Sequence, residues 1–308
     1  MAHVGTALTP RDIWQKKKDE IAKQREAEGA TKHHGVELPG EEISALRTLE
    51  DALYSEITPR KDGESPRPEQ FAAKNGHVVE LDLKINDYRA ERVNFTELAC
   101  KCSQVETLML RMWDEKEDLA GLAALKSLKA LLFGTRQYNG ECPDAQLAVI
   151  LSLAGLQELN IAGMAINPKL FGENIGKLKN LKKLRLASVR NINQFPDSMK
   201  ELKALEEIDV TGTKLPGVGW PGWLAELPKL MLVHKDMTQG GLTFGKIQGV
   251  LEGRNPAAYP KASFKDKLKK GVVGMLETAD PNVSPDKQRE KWKESLPEPL
   301  KKGWSGIK

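Results

Sequence analysis

A short apolar spacing recurs along the chain and constrains its fold more than any other feature. In each copy an apolar residue is followed by others three and five positions later, as in Leu205, Ile208 and Val210. Seven copies occur, beginning at Val78, Val105, Leu128, Leu156, Leu181, Leu205 and Leu227. Intervals of 22 to 28 residues are typical of a solenoid, in which each repeat stacks on its neighbours.

The step from +3 to +5 decides between two ways of stacking such repeats. Leucines three apart also suit amphipathic helices, so a helical array is the alternative. The step of two residues and the β-branched Ile161, Ile208 and Val210 favour a short strand in each copy. Because one repeat cannot bury its own leucines, we predict that the strands stack side by side in one parallel sheet.

These copies resemble the leucine-rich repeat family from about Gly76 to Asp236, roughly half of the chain. The best matches are FPDSMKELKALEEIDVTGTKL and IGKLKNLKKLRLASVRNI. The resemblance implies an α/β fold, a horseshoe-shaped solenoid with a parallel β-sheet on its concave face and flanking α-helices. Only Asn86 fills the asparagine position of the repeat, so we expect no continuous asparagine ladder.

The flanking segments predict four parts: 1–36, 37–75, 76–236 and 237–308. The first is a charged helix or extension with Thr9-Pro10 as its start signal and Gly29 as its stop. This helix has few apolar residues; it docks weakly, binds a partner or, as we expect, stands solvated. The second part holds a cap helix and an exposed linker from Thr58 to Gln70. Five residues form the apolar face of that cap helix: Ile43, Leu46, Leu49, Leu53 and Ile57.

The positive charge of the chain is concentrated in its last part. Of the formal net charge of +4, the segment from Lys261 to Lys308 supplies an excess, with 12 Lys and Arg against seven Asp and Glu. We expect a C-terminal cap helix over SFKDKLKKGVVGMLETAD, followed by a basic tail. The alternative is an adaptor, whose basic helix and tail bind an acidic partner, a membrane surface or nucleic acid.

Catalytic and metal-binding signals are weak, so no catalytic, cofactor-binding or metal-binding residue is predicted and we expect no enzyme and no small-molecule substrate. The segment GGLTFGKI has Ile247 where a phosphate-binding loop needs Ser or Thr, and we expect a glycine-rich exit from the solenoid there. The sequence Cys142-Pro143-Asp144 is similar to a motif of bacterial ubiquitin-ligase effectors that carry leucine-rich repeats, which makes a ligase-like effector a further alternative. In that family the motif lies in a separate domain beyond the repeats, whereas here it lies inside them. We therefore treat the similarity as accidental. His33-His34 is expected in a solvated loop.

The three cysteines show no disulfide framework, and no run of 18 apolar residues occurs. We therefore expect a cytoplasmic protein in a reducing compartment.

If the repeats follow family geometry, the residues between the core leucines point out of the sheet. We predict a non-enzymatic interaction or scaffold module that binds a protein or peptide partner on the concave face. The predicted anchors are Met109, Arg111, Trp113 and Leu132. Further contacts are predicted at Asn160, Lys183, Arg185, Asp209 and Met231. Lys183 and Arg185 are expected to face Glu207 and Asp209 on the next strand. The alternative for Met109 and Leu132 is that a neighbouring segment covers them.

Overall fold

The structure, a computed structural model, describes residues 8–61, 63–85, 93–113, 118–135, 141–215, 219–236 and 241–258. In these ranges the strands are β1 (Lys32–His33), β2 (Val36–Glu37), β3 (Thr58–Pro59), β4 (Gln70–Lys74), β5 (His77–Lys84), β6 (Thr107–Trp113), β7 (Ala130–Thr135), β8 (Glu158–Asn160), β9 (Lys183–Arg185), β10 (Glu207–Asp209) and β11 (Leu232–His234). The α-helices are α1 (Pro10–Glu28), α2 (Gly40–Leu53), α3 (Phe95–Cys100), α4 (Asp144–Ser152), α5 (Pro168–Asn174), α6 (Trp223–Glu226) and α7 (Gly241–Arg254). Short 3₁₀ segments cover Ala120–Ala124, Ile175–Lys177 and Asp197–Glu201.

One nine-stranded sheet runs from β3 to β11 in chain order, and β5 to β11 pair in parallel. The register aligns one buried residue from each repeat, namely Leu81, Leu108, Leu131, Leu159, Leu184, Ile208 and Val233. None of these is more than 6% exposed. The predicted solenoid, with one short strand per repeat and a helical or 3₁₀ segment between strands, is confirmed.

The phase of the last repeat was predicted wrongly. Ile208 pairs with Val233, so the copy begins at Leu230 and not at Leu227. Both leucines are almost fully buried, because Leu227 directly follows helix α6 and packs on the helical side. The spacing favours the Leu227 phase, because Leu227, Leu230 and Leu232 fill all three apolar positions, whereas the Leu230 phase has Lys235 at its last position. Only the strand pairing shows that the Leu230 phase is the one adopted.

Close packing on the helical side replaces the asparagine ladder that the family consensus would supply. At the asparagine positions Met164 and Val189 are buried apolar residues, and the Thr213 hydroxyl donates to the Leu186 carbonyl at 2.6 Å. A Cβ added at Gly176 would collide with the backbone of Ser198 on the next repeat, so the two 3₁₀ segments approach closely there. The expectation of no continuous ladder is therefore confirmed for the described repeats.

The sheet begins with a hairpin that the repeat pattern does not predict. Strands β4 and β5 pair antiparallel across Asn75 and Gly76, whose φ angles are 54° and 75°. Positive φ at both central residues is the geometry of the turn that Asn-Gly favours between two strands. This dipeptide was the signal that would have revealed the hairpin. Part of the predicted linker therefore forms strand: β3 pairs with β4 in parallel at the sheet edge.

Helix α1 has the predicted ends, but it is docked and not solvated. Thr9 caps it reciprocally with Asp12, and Gly29 ends it at φ 60°. Trp14 is only 6% exposed, and Arg25 contacts Asp51 at 3.0 Å. Trp14 and the ion pairs of Lys17, Arg25 and Glu28 thus fix a helix whose average composition is polar. Four of the five predicted face residues lie on helix α2 and are at most 2% exposed, whereas Ile57 is buried beyond the end of the helix at Leu53.

One further local prediction was wrong, and one segment took a more regular form than its composition indicates. His33 is 1% exposed and contacts Glu50, because the β1–β2 turn folds back onto α2. GGLTFGKI is not a loop: from Gly241 onward it forms the start of α7, where Phe244 and Ile247 are buried.

The described residues up to Asn255 form one compact unit. The predicted C-terminal cap helix and basic tail lie outside the described residues. Within the described ranges, no helix is both long enough and apolar enough to cross a membrane.

Candidate functional site

The side chains that alternate with the buried leucines form the outer face of the sheet, which is the concave face of the predicted solenoid. Strand pairing places seven residues in one column across it: Asp82, Met109, Leu132, Asn160, Arg185, Asp209 and His234. Met231 was predicted to complete this column, but it precedes β11 and is 37% exposed. The shifted phase of the last repeat puts His234 there instead.

An apolar groove of about 100 Å³ lies at the β5–β7 end of this face. Met109 and Leu132 contribute to its lining with Thr107, and Pro66, Arg67 and Gln70 line it from the segment that leads into β4. Met109 and Leu132 were expected to be exposed together, but both are half-buried. The segment before β4 narrows the approach to both side chains without covering them completely. The structure therefore lies between the two alternatives, fully exposed anchors and anchors covered by a neighbouring segment.

Arg111 was predicted as a partner anchor, but it already has a partner within the chain. Its Nε donates to Asp82 Oδ1 and its Nη2 donates to Asp82 Oδ2, both at 2.7 Å. Burial raises the pKa of Asp82, and the two bonds from Arg111 oppose this rise. The same hydrogen bonds raise the pKa of Arg111. This two-bond geometry is that of an ionised carboxylate, and it fixes one edge of the groove.

Trp113, the fourth predicted anchor, pairs with Thr135 through its backbone. Its side chain lies outside the described part of the structure.

The rim of the groove carries two arginines with different surroundings. Arg60 Nη2 contacts Glu80 Oε2 at 2.6 Å. Arg67 is exposed, and within the described residues its guanidinium has no ion pair. Nearby Glu69 has a pKa that burial raises, with Asp82 raising it further while Lys84 and Arg111 lower it. Among the described residues, Arg67 is thus the rim arginine without an acidic partner.

The β8–β11 end of the outer face is charged and not apolar. Lys183 lies beside Glu207 and Arg185 beside Asp209, as the sequence predicted. The ion pair of Arg185, however, goes to Glu158 on β8, with 3.4 Å between Nε and Oε1. On the last strand His234 contacts Glu207 at 3.2 Å.

Two predicted contact residues at this end each use a side-chain oxygen to stabilise the turn that follows their own strand. Asn160 Oδ1 accepts from the Ala162 amide and Asp209 Oδ1 accepts from the Thr211 amide, both at 3.0 Å. Both side chains are half-buried on the outer face, and their role in partner binding stays a prediction.

The cysteine that resembles an effector motif is a poor nucleophile. Cys142 is 5% exposed, and burial raises the pKa of its thiol to about 12. Because the thiolate is the reacting form, this thiol is almost entirely unreactive near neutral pH.

No protein-family model and no curated protein sequence matches the chain. Among solved structures, an internalin from Listeria monocytogenes matches with 15% identity and a TM-score of 0.39, over 60% of this chain and 50% of that one. A chain of the Drosophila Toll–Spatzle complex matches with 13% identity and a TM-score of 0.31, over 48% and 23%. The leucine-rich repeat ectodomain of the receptor kinase SOBIR1 from Arabidopsis thaliana matches with 14% identity and a TM-score of 0.31, over 67% and 98%. The chain thus spans half or less of the length of the first two.

The strand register itself decides the architecture. Seven strands pair in parallel and in sequence order, and each places one residue of the repeated spacing in the same buried column. The fold is a leucine-rich repeat solenoid. Its outer face combines an apolar groove at one end with a charged surface at the other.

Proposed function

We propose that this leucine-rich repeat chain is a non-enzymatic interaction module, and that the outer face of its sheet binds an extended segment of a partner protein. The observation that carries the proposal is the groove beside Met109 and Leu132, with Arg67 at its rim. Its volume of about 100 Å³ is well below the roughly 300 Å³ or more of most small-molecule sites. It has room for one aliphatic side chain and not for a metabolite.

The charges around the groove indicate the chemistry of the partner segment. Arg60 and Arg111 are each paired within the chain, with Glu80 and Asp82. Arg67 therefore supplies the cation for the partner. The preferred segment carries a leucine-like side chain for the groove and a carboxylate within about two residues of it. Apolar anchors in small pockets contribute most of the affinity in such interfaces, whereas rim charges contribute specificity and association rate.

A selection experiment tests this proposal and requires no candidate partner. A random peptide library is selected on the wild-type chain, and the enriched peptides are measured against Leu132→Lys, Arg67→Ala and Val250→Lys. Val250→Lys is the matched control. Val250 lies on α7 and is 38% exposed, so this variant also replaces an aliphatic side chain with lysine, but away from the groove. The expected peptides share an aliphatic residue with a neighbouring acid.

We expect Leu132→Lys to weaken these peptides at least tenfold, since a lysine would close the groove and charge it. Val250→Lys should bind them as the wild type does, and Arg67→Ala should reduce the preference for the acid. Enriched peptides that bind Leu132→Lys and the wild type equally would show that the groove is not the site.

A further inference from the structure

A buried cluster of potential metal ligands lies at the other end of the molecule from the charged strands, where the N-terminal elements meet. It consists of His33 and His34 on the β1–β2 turn and Glu50 on α2. One ligand atom from each of the three residues lies within 4.8 Å of the other two. His33 and Glu50 are each 1% exposed. The interaction surface does not involve these residues.

We propose that His33, His34 and Glu50 form a binding site for a divalent cation of the zinc type. Two imidazole nitrogens and one carboxylate oxygen are a ligand set that zinc accepts, with a fourth position left for water or a carbonyl group. The site is independent of the outer face and needs no part of the groove.

Two of the three separations between the ligand atoms are close to those around a small tetrahedral ion, and all three are at most 4.8 Å. His34 Nε2 lies 2.9 Å and His33 Nε2 lies 3.5 Å from the same oxygen, Glu50 Oε1. Zinc bonds of about 2.0–2.2 Å at tetrahedral angles place neighbouring ligand atoms roughly 3.3–3.5 Å apart. The two observed distances bracket this value. The Ile57 carbonyl, 3.1 Å from His33 Nε2, is the nearest further oxygen.

The turn explains how two consecutive histidines reach one oxygen. Successive side chains on a strand point to opposite sides, so neighbouring residues seldom share a ligand. Here His33 ends β1, whereas His34 adopts φ 47° and Gly35 adopts φ 80° in the turn to β2. The left-handed conformation of His34 brings its ring back toward α2, and the two rings meet edge to face with centroids 4.6 Å apart.

Surrounding hydrogen bonds hold the ligands in place, as outer partners do in metal sites. Arg25 Nη2 binds Glu50 Oε2 at 3.0 Å, and the Ile57 amide donates to Oε1 at 2.8 Å. Gln24 Nε2 lies 3.0 Å from His34 Nδ1. An ion on His34 Nε2 places the ring proton on Nδ1, and a half-turn of the Gln24 amide then supplies an acceptor oxygen at the expense of the bond from Gln24 Nε2 to Glu28 Oε1.

The nearby charges accommodate a dication. Glu28, Glu50 and Asp51 are opposed by Arg25 and Arg47, which leaves one negative charge in excess when both imidazoles are neutral. Without an ion, His34 Nε2 donates to Glu50 Oε1 at 2.9 Å and His33 Nε2 donates to the Ile57 carbonyl at 3.1 Å, so an ion would replace both ring protons. The side chain of His34 is 14% exposed, so one edge of the cluster is open to an ion from solvent.

Titration of the full-length chain with Co²⁺ and Zn²⁺ tests the site. We expect one ion per chain, visible absorption bands of tetrahedral Co²⁺ that Zn²⁺ abolishes, and a rise in Tm with Zn²⁺ that a chelator reverses. His34→Asn keeps a residue that tolerates positive φ but removes a ligand, and it should weaken binding at least about tenfold.

His77→Asn is the matched control. His77 Nδ1 lies 2.8 Å from Glu42 Oε1, so this pair has one imidazole and one carboxylate but no second histidine. The control should bind Zn²⁺ as the wild type does. Absence of the Co²⁺ bands from the wild-type chain would overturn the proposal even if His34→Asn failed to fold. Equal affinity of His34→Asn and the wild type would overturn it as well.

Discussion

Leu131 and Leu132 are neighbours on β7, but the structure predicts opposite consequences for their replacement by alanine. Leu131 is 0% exposed and lies in the buried column between Leu108 and Leu159. Leu132 is half-buried on the outer face beside the groove. The two substitutions remove the same three carbon atoms from the same strand, so strand propensity changes equally in both variants.

The magnitudes follow from the burial of the two side chains. Each buried carbon of this kind contributes about 0.8 kcal/mol, so the transfer term for Leu131→Ala is roughly 2.4 kcal/mol. The closed cavity left behind raises the total to about 3–5 kcal/mol. Leu132 loses at most about half of the transfer term, roughly 1 kcal/mol, because solvent can enter the space and no closed cavity forms.

Urea unfolding followed by circular dichroism measures both free energies. A solenoid can lose cooperativity, so the comparison requires equal m values for the two variants and the wild type. Leu131→Ala should retain binding of the selected peptides once folded, whereas Leu132→Ala should weaken it. A difference below about 0.5 kcal/mol between the variants, or the reverse order, would refute the register of β7.

Three further predictions test the surroundings of the groove and the thiols. Arg111→Ala should lower the free energy of unfolding by about 2–3 kcal/mol, because it leaves the buried Asp82 carboxylate without its two hydrogen bonds. Asp82→Asn should lower the free energy of unfolding by only about 1 kcal/mol. Equal losses of the two variants in urea unfolding would contradict this reasoning. Burial raises the pKa of Glu69 above its ordinary 4.5, so its favourable contribution is complete below that pH and is lost as pH rises through the folded pKa. Glu69→Gln should therefore raise the Tm at pH 7 and have no such effect near pH 4, and an unchanged Tm at pH 7 would count against the burial of this carboxyl. Burial raises the pKa of Cys142 to about 12, so at pH 8 about one thiol in ten thousand is ionised and a disulfide reagent should react at least about 100-fold more slowly than after unfolding; a native rate equal to the unfolded rate would exclude this burial.

Local and periodic signals account for what the sequence predicted correctly. Six of the seven repeat phases followed from the +3/+5 spacing, because each strand exposes or buries alternate residues regardless of its partners. The ends of α1 followed from Thr9 and Gly29, which act within one turn of the chain. The Asn75-Gly76 turn is equally local, since Asn-Gly favours a tight hairpin whatever the rest of the chain does.

The candidate sites were less predictable because their partners are distant in sequence. Arg111 fits a binding anchor by residue type, yet Asp82, 29 residues earlier, already holds it. His33 and His34 occur in a polar segment, and their burial depends on Glu50 and Arg25 from two separate helices. No spacing rule within one segment contains either contact.

The sequence by itself determined the solenoid, since the repeated leucines can be buried only by stacking copies of the same unit. It also determined which side chains of most strands face outward. Tertiary structure alone decided the phase at Leu230, the docking of α1, the walls of the groove beside Met109 and the meeting of His33, His34 and Glu50. These features depend on which distant groups come within a few ångströms of each other, and such distances are set by the packed chain and not by the order of its residues.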